Sequence, residues 1–182
     1  MQVTPAPLPG LLILEPTVFA DERGFFMESF NQCAFDAAVG HAVSFVQDNH
    51  SRSQRGVLRG LHYQLPPHAQ GKLVRVVRGS AFDVAVDIRK GSATLGRWFG
   101  TNLDATSHRQ MWIPPGFAHG FLALEDDTHF LYKTTEYYAR DCERAIAWND
   151  PAIGIDWPDL GSPPRLANKD ATAPPMANAE TY

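Results

Sequence analysis

The chain has 182 residues, of which 44% are hydrophobic, and its formal net charge is -4. This length suits one sizeable core, so we expect residues 1–182 to form a single domain. The acidic balance argues against a nucleic acid polymer as ligand, because such a ligand needs a broad basic surface. Two cysteines are too few for a disulfide scaffold, and no run of about 18 apolar residues occurs. We therefore expect a soluble, cytoplasmic protein that does not bind a membrane.

Short apolar segments, separated by Gly, Pro, Asn and Asp, follow one another along the chain. In chain order they are LLIL, GFFMESF, VSFVQDN, GVLRGLHYQ, KLVRVV, SAFDVAVDIR, RWFGTNL, RQMWIP, HGFLALE and THFLYKTTEYY. This pattern predicts an all-β barrel or jelly roll. The stretch NQCAFDAAVG predicts a short peripheral helix, with Asn31 as N-cap and Gly40 after its last turn. Residues 163–182 are rich in proline and small polar residues and are expected to form a loop or tail.

One basic segment stands out in this acidic chain. Residues 49–82 contain six Lys and Arg residues but neither Asp nor Glu. A local cluster of positive charge predicts a small anionic ligand rather than a polymeric one.

The strand pattern around His62 offers groups for acid–base chemistry. The short loop LPPHAQG separates LHYQ from KLVRVV, so we expect a hairpin that brings Lys72 close to His62. A neutral histidine beside a lysine can remove a proton and stabilise the resulting negative charge. A buried structural histidine and a solvated lysine are the alternatives. Strict alternation puts Arg59 and His62 on opposite faces, unless Gly60 marks a bulge that turns both inward.

The segment IPPGFAHGF carries the cupin signature Pro-x-Gly-x-x-His and places His119 at the start of an apolar strand. In many cupins this histidine is a metal ligand, together with two histidines spaced by one residue and a glutamate. Here His62 is followed by Gln64 at the second histidine position. Too few ligands remain for a catalytic metal, which normally has about three, so we expect no metal site.

Tyrosines after the last apolar segment are further candidates. In FLYKTTEYY, alternation places Tyr132 and Tyr138 on one face, where two phenols could line a cavity. A phenol can donate a proton, and an aromatic ring can stack on a nucleotide base. Tyrosines on strands are also common in cores and interfaces, and that alternative remains open.

Taken together, several segments resemble the dTDP-4-dehydrorhamnose 3,5-epimerase family, in order and from about residue 10 to Asp170. These segments are ERGFFMESF, QDNHSRSQRGVLRGLHYQ, QGKLVRVVRGSAFDVAVDIRKGS, WIPPGFAHGF, YKTTEYY and WNDPAIGIDWP. The resemblance implies a cupin-type jelly roll with short peripheral helices. It also implies a homodimer with exchanged N-terminal strands, acting without metal or organic cofactor in deoxysugar biosynthesis. The implied substrate is a dTDP-sugar, whose diphosphate would be the expected anion.

The resemblance implies the catalytic roles. His62 matches the proton acceptor, Tyr132 the proton donor, and Lys72 the group that stabilises the enolate oxygen. Asp170 matches the aspartate that orients the base histidine. Asp83 is a second candidate carboxylate, assigned to His119, and the sequence leaves open which carboxylate pairs with which histidine.

Further positions match those that bind the substrate. Arg23 and Arg59 match the diphosphate-binding positions, and Tyr138 matches the one that stacks on thymine. The remaining matched positions are Glu28, Gln47, Asn49, His119, Glu143 and Lys169. Family dimers often supply the residues at positions 23 and 28 to the neighbouring subunit's site.

The expected reaction is inversion at both C3 and C5 of dTDP-4-dehydro-6-deoxy-D-glucose, giving dTDP-4-dehydro-L-rhamnose. An epimerase acting at only one of these carbons is the first alternative, because spacing in the sequence does not show how the sugar lies between His62 and Tyr132. A ketoisomerase that moves the ketone between C3 and C4 is a further alternative on the same scaffold. A metal-dependent cupin oxygenase and a non-catalytic nucleotide-sugar binder are the alternatives from other classes.

Overall fold

The computed structural model describes residues 1–182 and consists mainly of β-strands. The strands are β1 (Gln2–Pro5), β2 (Leu12–Glu15), β3 (Val18–Asp21), β4 (Gly24–Met27), β5 (Gln47–Ser53), β6 (Leu58–Gln64), β7 (Lys72–Arg78), β8 (Ser80–Asp87), β9 (Trp98–Asp104), β10 (Gln110–Ile113), β11 (Phe117–Ala123), β12 (Thr128–Thr134) and β13 (Glu143–Ala145). The helices are α1 (Gln32–Val39) and α2 (Asn168–Ala171), with 3-10 turns at Arg140–Cys142 and Met176–Asn178. The predicted all-β class with short helices is confirmed.

Two antiparallel sheets form the body of the protein. The six-stranded sheet has the order β1-β2-β10-β7-β12-β5, and the five-stranded sheet has the order β13-β6-β11-β8-β9. Strands β3 and β4 form a separate hairpin. Inward-facing side chains of the two sheets meet in one core, where Phe121 of β11 stacks on Phe130 of β12 with ring centroids 4.0 Å apart. No helix is long and apolar enough to cross a membrane.

The prediction that the strands of His62 and Lys72 form a hairpin is wrong. Strand β6 pairs with β11 and β13 in the five-stranded sheet, whereas β7 pairs with β10 and β12 in the other sheet. The connection at residues 65–71 is longer than the tight loops that join paired strands, and it crosses between the sheets. Lys72 therefore faces His62 across the interior instead of lying beside it.

Of the possibilities that the sequence leaves open, the bulge at Gly60 is the one present. The register between β6 and β11 shifts between His119 and Phe121, opposite Gly60. Gly60 has φ +131°, and a Cβ atom there would lie 2.5 Å from Gly120 Cα. Only a residue without a side chain fits this close backbone approach. The irregularity brings Arg59 and His62 to the same cavity, although simple alternation would separate them.

Helix α1 begins and ends as predicted. The Asn31 side chain accepts a hydrogen bond from the Ala34 N–H at 3.1 Å, and Gly40 follows the helix with φ +87°. Phe35 is fully buried and packs edge-on against Trp112 of β10. Leu73 belongs to this outer cluster while Val74, the next residue, belongs to the inner core. The helix therefore covers the outside of the six-stranded sheet.

Candidate active site

A cavity of about 340 Å³ opens between the two sheets. Its lining contains nine of the thirteen predicted site residues: Arg59, His62, Lys72, His119, Tyr132, Tyr138, Glu143, Lys169 and Asp170. Strands β6 and β11 contribute residues from one wall, and β7 and β12 from the other. The polar groups predicted from scattered segments thus meet in one space.

His62 is hydrogen-bonded to a buried carboxylate. Its Nε2 lies 2.5 Å from Asp170 Oδ1, and the Asp170 side chain is 2% exposed. Because a carboxylate accepts a hydrogen bond, Nε2 carries the proton in the neutral ring and Nδ1 is left with a free lone pair. The geometry gives His62 a fixed orientation and one nitrogen that can accept a proton.

Lys72 enters the cavity from the opposite sheet. Its Nζ donates a hydrogen bond to the main-chain carbonyl of His62 at 3.2 Å, and no carboxylate pairs with it directly. Burial lowers the pKa of Lys72 to about 8, and the charge of Asp83 opposes this shift. At neutral pH the ammonium group is mostly charged and offers further N–H donors to a ligand oxygen.

His119 forms a second pair with a carboxylate. Its Nε2 lies 2.7 Å from Asp83 Oδ1, and both residues are buried. Burial lowers the pKa of His119 despite the neighbouring carboxylate, so the ring is neutral at pH 7. Asp83 Oδ2 is buried without a hydrogen-bond partner. The pairing left open by the sequence is therefore Asp170 with His62 and Asp83 with His119.

Tyr132 faces the cavity from β12, in the sheet opposite His62. Burial raises the pKa of its phenol, although the positive charges of Lys169 and Arg59 act in the other direction. The hydroxyl is therefore protonated at neutral pH and able to donate a proton. A base and an acid on facing walls are positioned to act on opposite faces of a ligand between them.

A connected set of polar groups forms the rim. Glu143 accepts hydrogen bonds from the Tyr138 hydroxyl at 3.0 Å and from Lys169 Nζ at 2.8 Å. Burial opposes ionisation of Glu143, but these two hydrogen bonds and the positive charge of Lys169 act in the other direction, and the pKa of Glu143 is lowered. The Tyr138 N–H donates to Gln47 Oε1 at 3.1 Å, and Gln47 Nε2 donates to Asn49 Oδ1 at 2.9 Å. Gln47 and Asn49 thus support the rim from outside the cavity lining.

The Arg59 guanidinium at the cavity mouth has N–H groups that make no hydrogen bond within the protein. Its Nε donates to Ser53 Oγ at 3.1 Å and its Nη2 to the Arg52 carbonyl at 3.3 Å, and it forms no ion pair. By contrast, Arg23 pairs with Asp21 in the exposed turn between β3 and β4, outside this cavity. A guanidinium without an anionic partner suits a phosphate group.

Glu28 also lies outside the cavity and accepts a hydrogen bond from Asn31 Nδ2 at 3.1 Å. The described chain therefore does not bring Arg23 or Glu28 to its own site. Asn49 lines a second hollow of about 370 Å³ next to the cavity, shared with Tyr132. Four predicted residues, Arg23, Glu28, Gln47 and Asn49, are thus absent from the lining.

Gln64, at the position where metal-binding cupins have a histidine, makes side-chain hydrogen bonds to backbone groups. Its Oε1 accepts from the Ala139 N–H at 2.8 Å, and its Nε2 donates to the His68 carbonyl at 2.7 Å. No group of three or more His, Cys, Asp or Glu side chains is placed to hold a metal ion.

Some lining residues were not predicted. Ser51, Gln70 and Phe121 also face the cavity. Phe121 follows His119 by two residues on β11, so alternation along the strand was a usable signal for it. Ser51 follows Gln47 and Asn49 at two-residue spacing on β5, so the same signal was available for it, whereas Gln70 lies in the connection between β6 and β7, where alternation gives no signal.

Two facing sheets with a carboxylate-paired histidine on one wall and a phenol on the other define an all-β protein whose cavity carries groups suited to acid–base chemistry. A family model described as dTDP-4-dehydrorhamnose 3,5-epimerase matches residues 5–178. The chain is 57% identical over 182 residues to the dTDP-4-dehydrorhamnose 3,5-epimerase of Shigella flexneri, covering 100% of this chain and 99% of that protein. The chain belongs to the dTDP-4-dehydrorhamnose 3,5-epimerase family.

Solved structures agree with this membership. A dTDP-6-deoxy-D-glucose-3,5-epimerase from Legionella pneumophila, in complex with dTDP-4-keto-L-rhamnose, has a TM-score of 0.94 and 49% identity, covering 97% of this chain and 93% of that one. A 3'-monoepimerase from Streptomyces bikiniensis, in complex with dTDP-quinovose, has a TM-score of 0.89 and 38% identity, covering 95% and 87%. The predicted family, cupin-type jelly roll and epimerase class are confirmed.

Proposed function

We propose that the protein inverts C3 and C5 of dTDP-4-dehydro-6-deoxy-D-glucose and so forms dTDP-4-dehydro-L-rhamnose. The observation that carries this proposal is the placement of the His62–Asp170 pair and Tyr132 on opposite walls of one cavity. Inversion at carbon needs a base on one face and an acid on the other. The names of the relatives support the same reaction.

The reaction follows from the ketone at C4. Nδ1 of His62 removes the proton from C3 or C5, and the electron pair of the broken C–H bond moves into an enolate. Lys72 stabilises the negative charge on the enolate oxygen. Tyr132 then gives its hydroxyl proton to the opposite face of the carbon, which inverts the centre. Substrate and product have the same oxidation state, so the reaction needs no redox cofactor, and in this proposal the Lys72 ammonium group supplies the positive charge at the enolate oxygen.

Charged and aromatic groups at the cavity mouth bind the nucleotide in this proposal. Arg59 binds the diphosphate with its free N–H groups, since the guanidinium fork matches phosphate oxygens. The exposed ring of Tyr138 stacks on thymine, and the Glu143–Lys169 pair lies beside it. His119, which is hydrogen-bonded to Asp83, contacts the sugar from the wall formed by β6 and β11.

The active unit in this proposal is a homodimer with exchanged N-terminal strands. The β3–β4 hairpin pairs with neither main sheet and exposes Phe19, Phe25 and Phe26 by 63%, 59% and 68%. Exposed aromatic groups of this kind mark a surface for another protein. Strand β5 is an unpaired sheet edge that can receive strands from a partner. Such an exchange would carry Arg23 and Glu28 to the partner's cavity.

Residues 1–182 act as a single domain in this proposal, with residues 163–182 as part of the site. Lys169 and Asp170 of this segment line the cavity. The two cysteines, Cys33 and Cys142, are free thiols, which suits the reducing cytoplasm.

Proton NMR of dTDP-4-dehydro-6-deoxy-D-glucose with the protein in deuterated water tests the reaction. Deuterium at both C3 and C5 is the expected result. Deuterium at one carbon would favour a single-site epimerase, the activity of the similar Streptomyces bikiniensis protein. Absence of exchange at both carbons would refute the proposal. The control is dTDP-glucose, which has no ketone and is expected to show no exchange.

A further inference from the structure

Asp170 reaches His62 from a segment with little local stability. Helix α2 has only four residues, and Ala167 at its N-cap makes no side-chain hydrogen bond. A helix this short does not form alone in water, because nucleation costs more than its few hydrogen bonds return. Contacts outside the helix must therefore set the position of the Asp170 carboxylate.

Backbone hydrogen bonds fix the chain on either side of α2. Before the helix, the Arg165 N–H donates to the Gly56 carbonyl at 2.7 Å, and the Leu58 N–H donates to the Arg165 carbonyl at 3.0 Å. After the helix, the Ala147 N–H donates to the Pro174 carbonyl at 2.8 Å. The second attachment belongs to the loop that carries the WNDPAIG motif, to which the proposed reaction assigns no role.

Asp150 of this loop makes a side-chain bond to the same segment. Its Oδ2 accepts from the Met176 N–H at 2.6 Å, and its Oδ1 accepts from the Ala152 N–H at 2.9 Å. Asp150 is 5% exposed and forms no ion pair. A buried carboxylate with only backbone donors as partners serves to hold those two pieces of chain together.

The same loop is joined to the strand of the base. It follows β13, where Ala145 is the register partner of His62. The Ile146 N–H donates to the Leu61 carbonyl at 3.0 Å. Asp150 thus connects the strand that carries His62 with the chain six residues beyond Asp170.

We infer that Asp150 is a positioning residue, whose bond to the Met176 N–H holds the Asp170 carboxylate against Nε2 of His62. The inference rests on the proposed function, since it concerns the same proton transfer. Asp150 does not line the cavity, so it acts through the backbone rather than on the substrate.

Asp150→Asn tests this role, because Oδ1 and Oδ2 each accept from a different N–H group, and the amide replaces one of these oxygens by an NH2 donor. Displacing a catalytic group by about 1 Å can cost roughly 100-fold, so we expect kcat to fall by about 10- to 100-fold. KM should change by less than about twofold, because the groups that bind the nucleotide are untouched. Asp159→Asn is the matched control: Asp159 is exposed, and its Oδ1 accepts from the Gly161 N–H at 2.8 Å without bonding to residues 163–182. The control should retain wild-type kcat.

A spectroscopic signal reports the pairing directly. The imidazole proton shared between His62 and Asp170 should resonate far downfield, and its loss in His62→Ala assigns it. We expect Asp150→Asn to lose this resonance and Asp159→Asn to keep it. In the Asp170→Asn background, Asp150→Asn should not lower kcat further, because the group it positions is already gone. Unchanged kcat with the resonance retained, or a loss that appears in KM alone, would overturn the inference.

Met176→Pro removes the same hydrogen bond from the other side and leaves the Asp150 bond to Ala152 intact. Proline suits this first position of a 3-10 turn, and the preceding Pro175 is already extended. The variant should reproduce the fall in kcat and the loss of the resonance. Failure of both variants to fold would overturn the inference, because the bond would then serve the fold and not the pair. Absence of exchange by the wild type would refute the proposed function, but the resonance would still test the placement of Asp170.

Discussion

Lys72 Nζ donates a hydrogen bond to the main-chain carbonyl of His62 at 3.2 Å, although the two residues belong to different sheets. The contact spans the cavity and uses one N–H of the ammonium group. Lys72 also lines the cavity, so its remaining N–H groups are available to a ligand oxygen. The hydrogen bond therefore fixes the position of Lys72, the proposed enolate stabiliser, relative to the backbone of His62, the proposed base.

Replacement of His62 by Ala should remove the exchange of the C3 and C5 hydrogens. We expect the exchange rate to fall by about 100- to 10000-fold, the usual contribution of a general base. Affinity for dTDP should be nearly unchanged, because the nucleotide contacts lie at the rim. NMR exchange and calorimetry measure the two effects. His41→Ala is the control, since His41 is exposed and makes no side-chain hydrogen bond; retained exchange in His62→Ala would exclude His62 as the base.

Tyr132→Phe removes only the phenol oxygen and should uncouple exchange from inversion. Proton removal by His62 continues, so deuterium should still enter from the His62 face, while inversion slows by about 100-fold. Comparing deuterium incorporation with product formation measures the difference. Tyr137→Phe is the matched control, because the Tyr137 ring is 61% exposed and its hydroxyl has no hydrogen bond. A change confined to dTDP affinity would contradict the acid role.

The value of kcat/KM should fall as the pH rises through the pKa of Lys72, which burial lowers to about 8. The sign follows from the charge: the ammonium group stabilises the enolate below this pH, and deprotonation above it removes the charge. The Tyr132 phenol titrates higher, since burial raises its pKa. Residual activity of Lys72→Met should lack this alkaline limb. A flat profile from pH 7 to about 9.5 would be incompatible with the assigned role.

Arg59→Ala should weaken dTDP binding by about 10- to 100-fold, the loss expected for charge-assisted hydrogen bonds to a diphosphate. The dependence of affinity on salt concentration should also become shallower. Titration calorimetry at two salt concentrations checks both effects. Arg97→Ala is the control, because Arg97 is exposed and its side chain has no partner. Equal affinities of Arg59→Ala and the wild type would exclude the diphosphate assignment.

The proposed exchange of N-terminal strands can be tested with two inactive variants. If Arg23 acts in the partner's cavity, Arg23→Ala and His62→Ala should complement each other when co-expressed. A mixed dimer then has one intact site, so random mixing should restore about a quarter of the wild-type activity. Each variant alone provides the baseline. Failure to complement would show that Arg23 works in its own subunit or not at all.

Local patterns in the sequence predicted the elements that depend on local chemistry. Helix α1 follows from Asn31 and Gly40, which satisfy its two ends. Most strands follow from their alternation, but β1, β3 and β13 were missed; β1 (QVTP) and β13 (ERA) contain few apolar residues. Strand β5 begins at Gln47 rather than at Val43, since residues before it pack against α1 instead of pairing. Strands with few apolar residues form because they pair with neighbouring strands, and local sequence patterns do not show this pairing.

The sequence indicated some residues of the candidate site by local patterns and others only through the family resemblance. Composition and alternation indicated His62, Lys72 and Tyr132 as candidates, but their meeting depends on long-range topology that the expected hairpin misplaced. Asp170 lies in a segment without core character, and only the family resemblance pointed to it. The positions of Arg23 and Glu28 require a second chain in the proposal, so no pattern within one chain could place them in a cavity.

The contact between Gly60 and Gly120 has a consequence for redesign. The wall that carries His62 and His119 contains a point where two backbones touch, and a side chain on either glycine would separate the strands and move both histidines. Strands β7 and β12 of the facing wall contain no glycine; the crowded Gly71 and Gly79 lie just outside the two ends of β7. Attempts to adapt the cavity to another sugar should therefore vary positions of β7 and β12 other than Lys72 and Tyr132, and leave the β6–β11 wall unchanged.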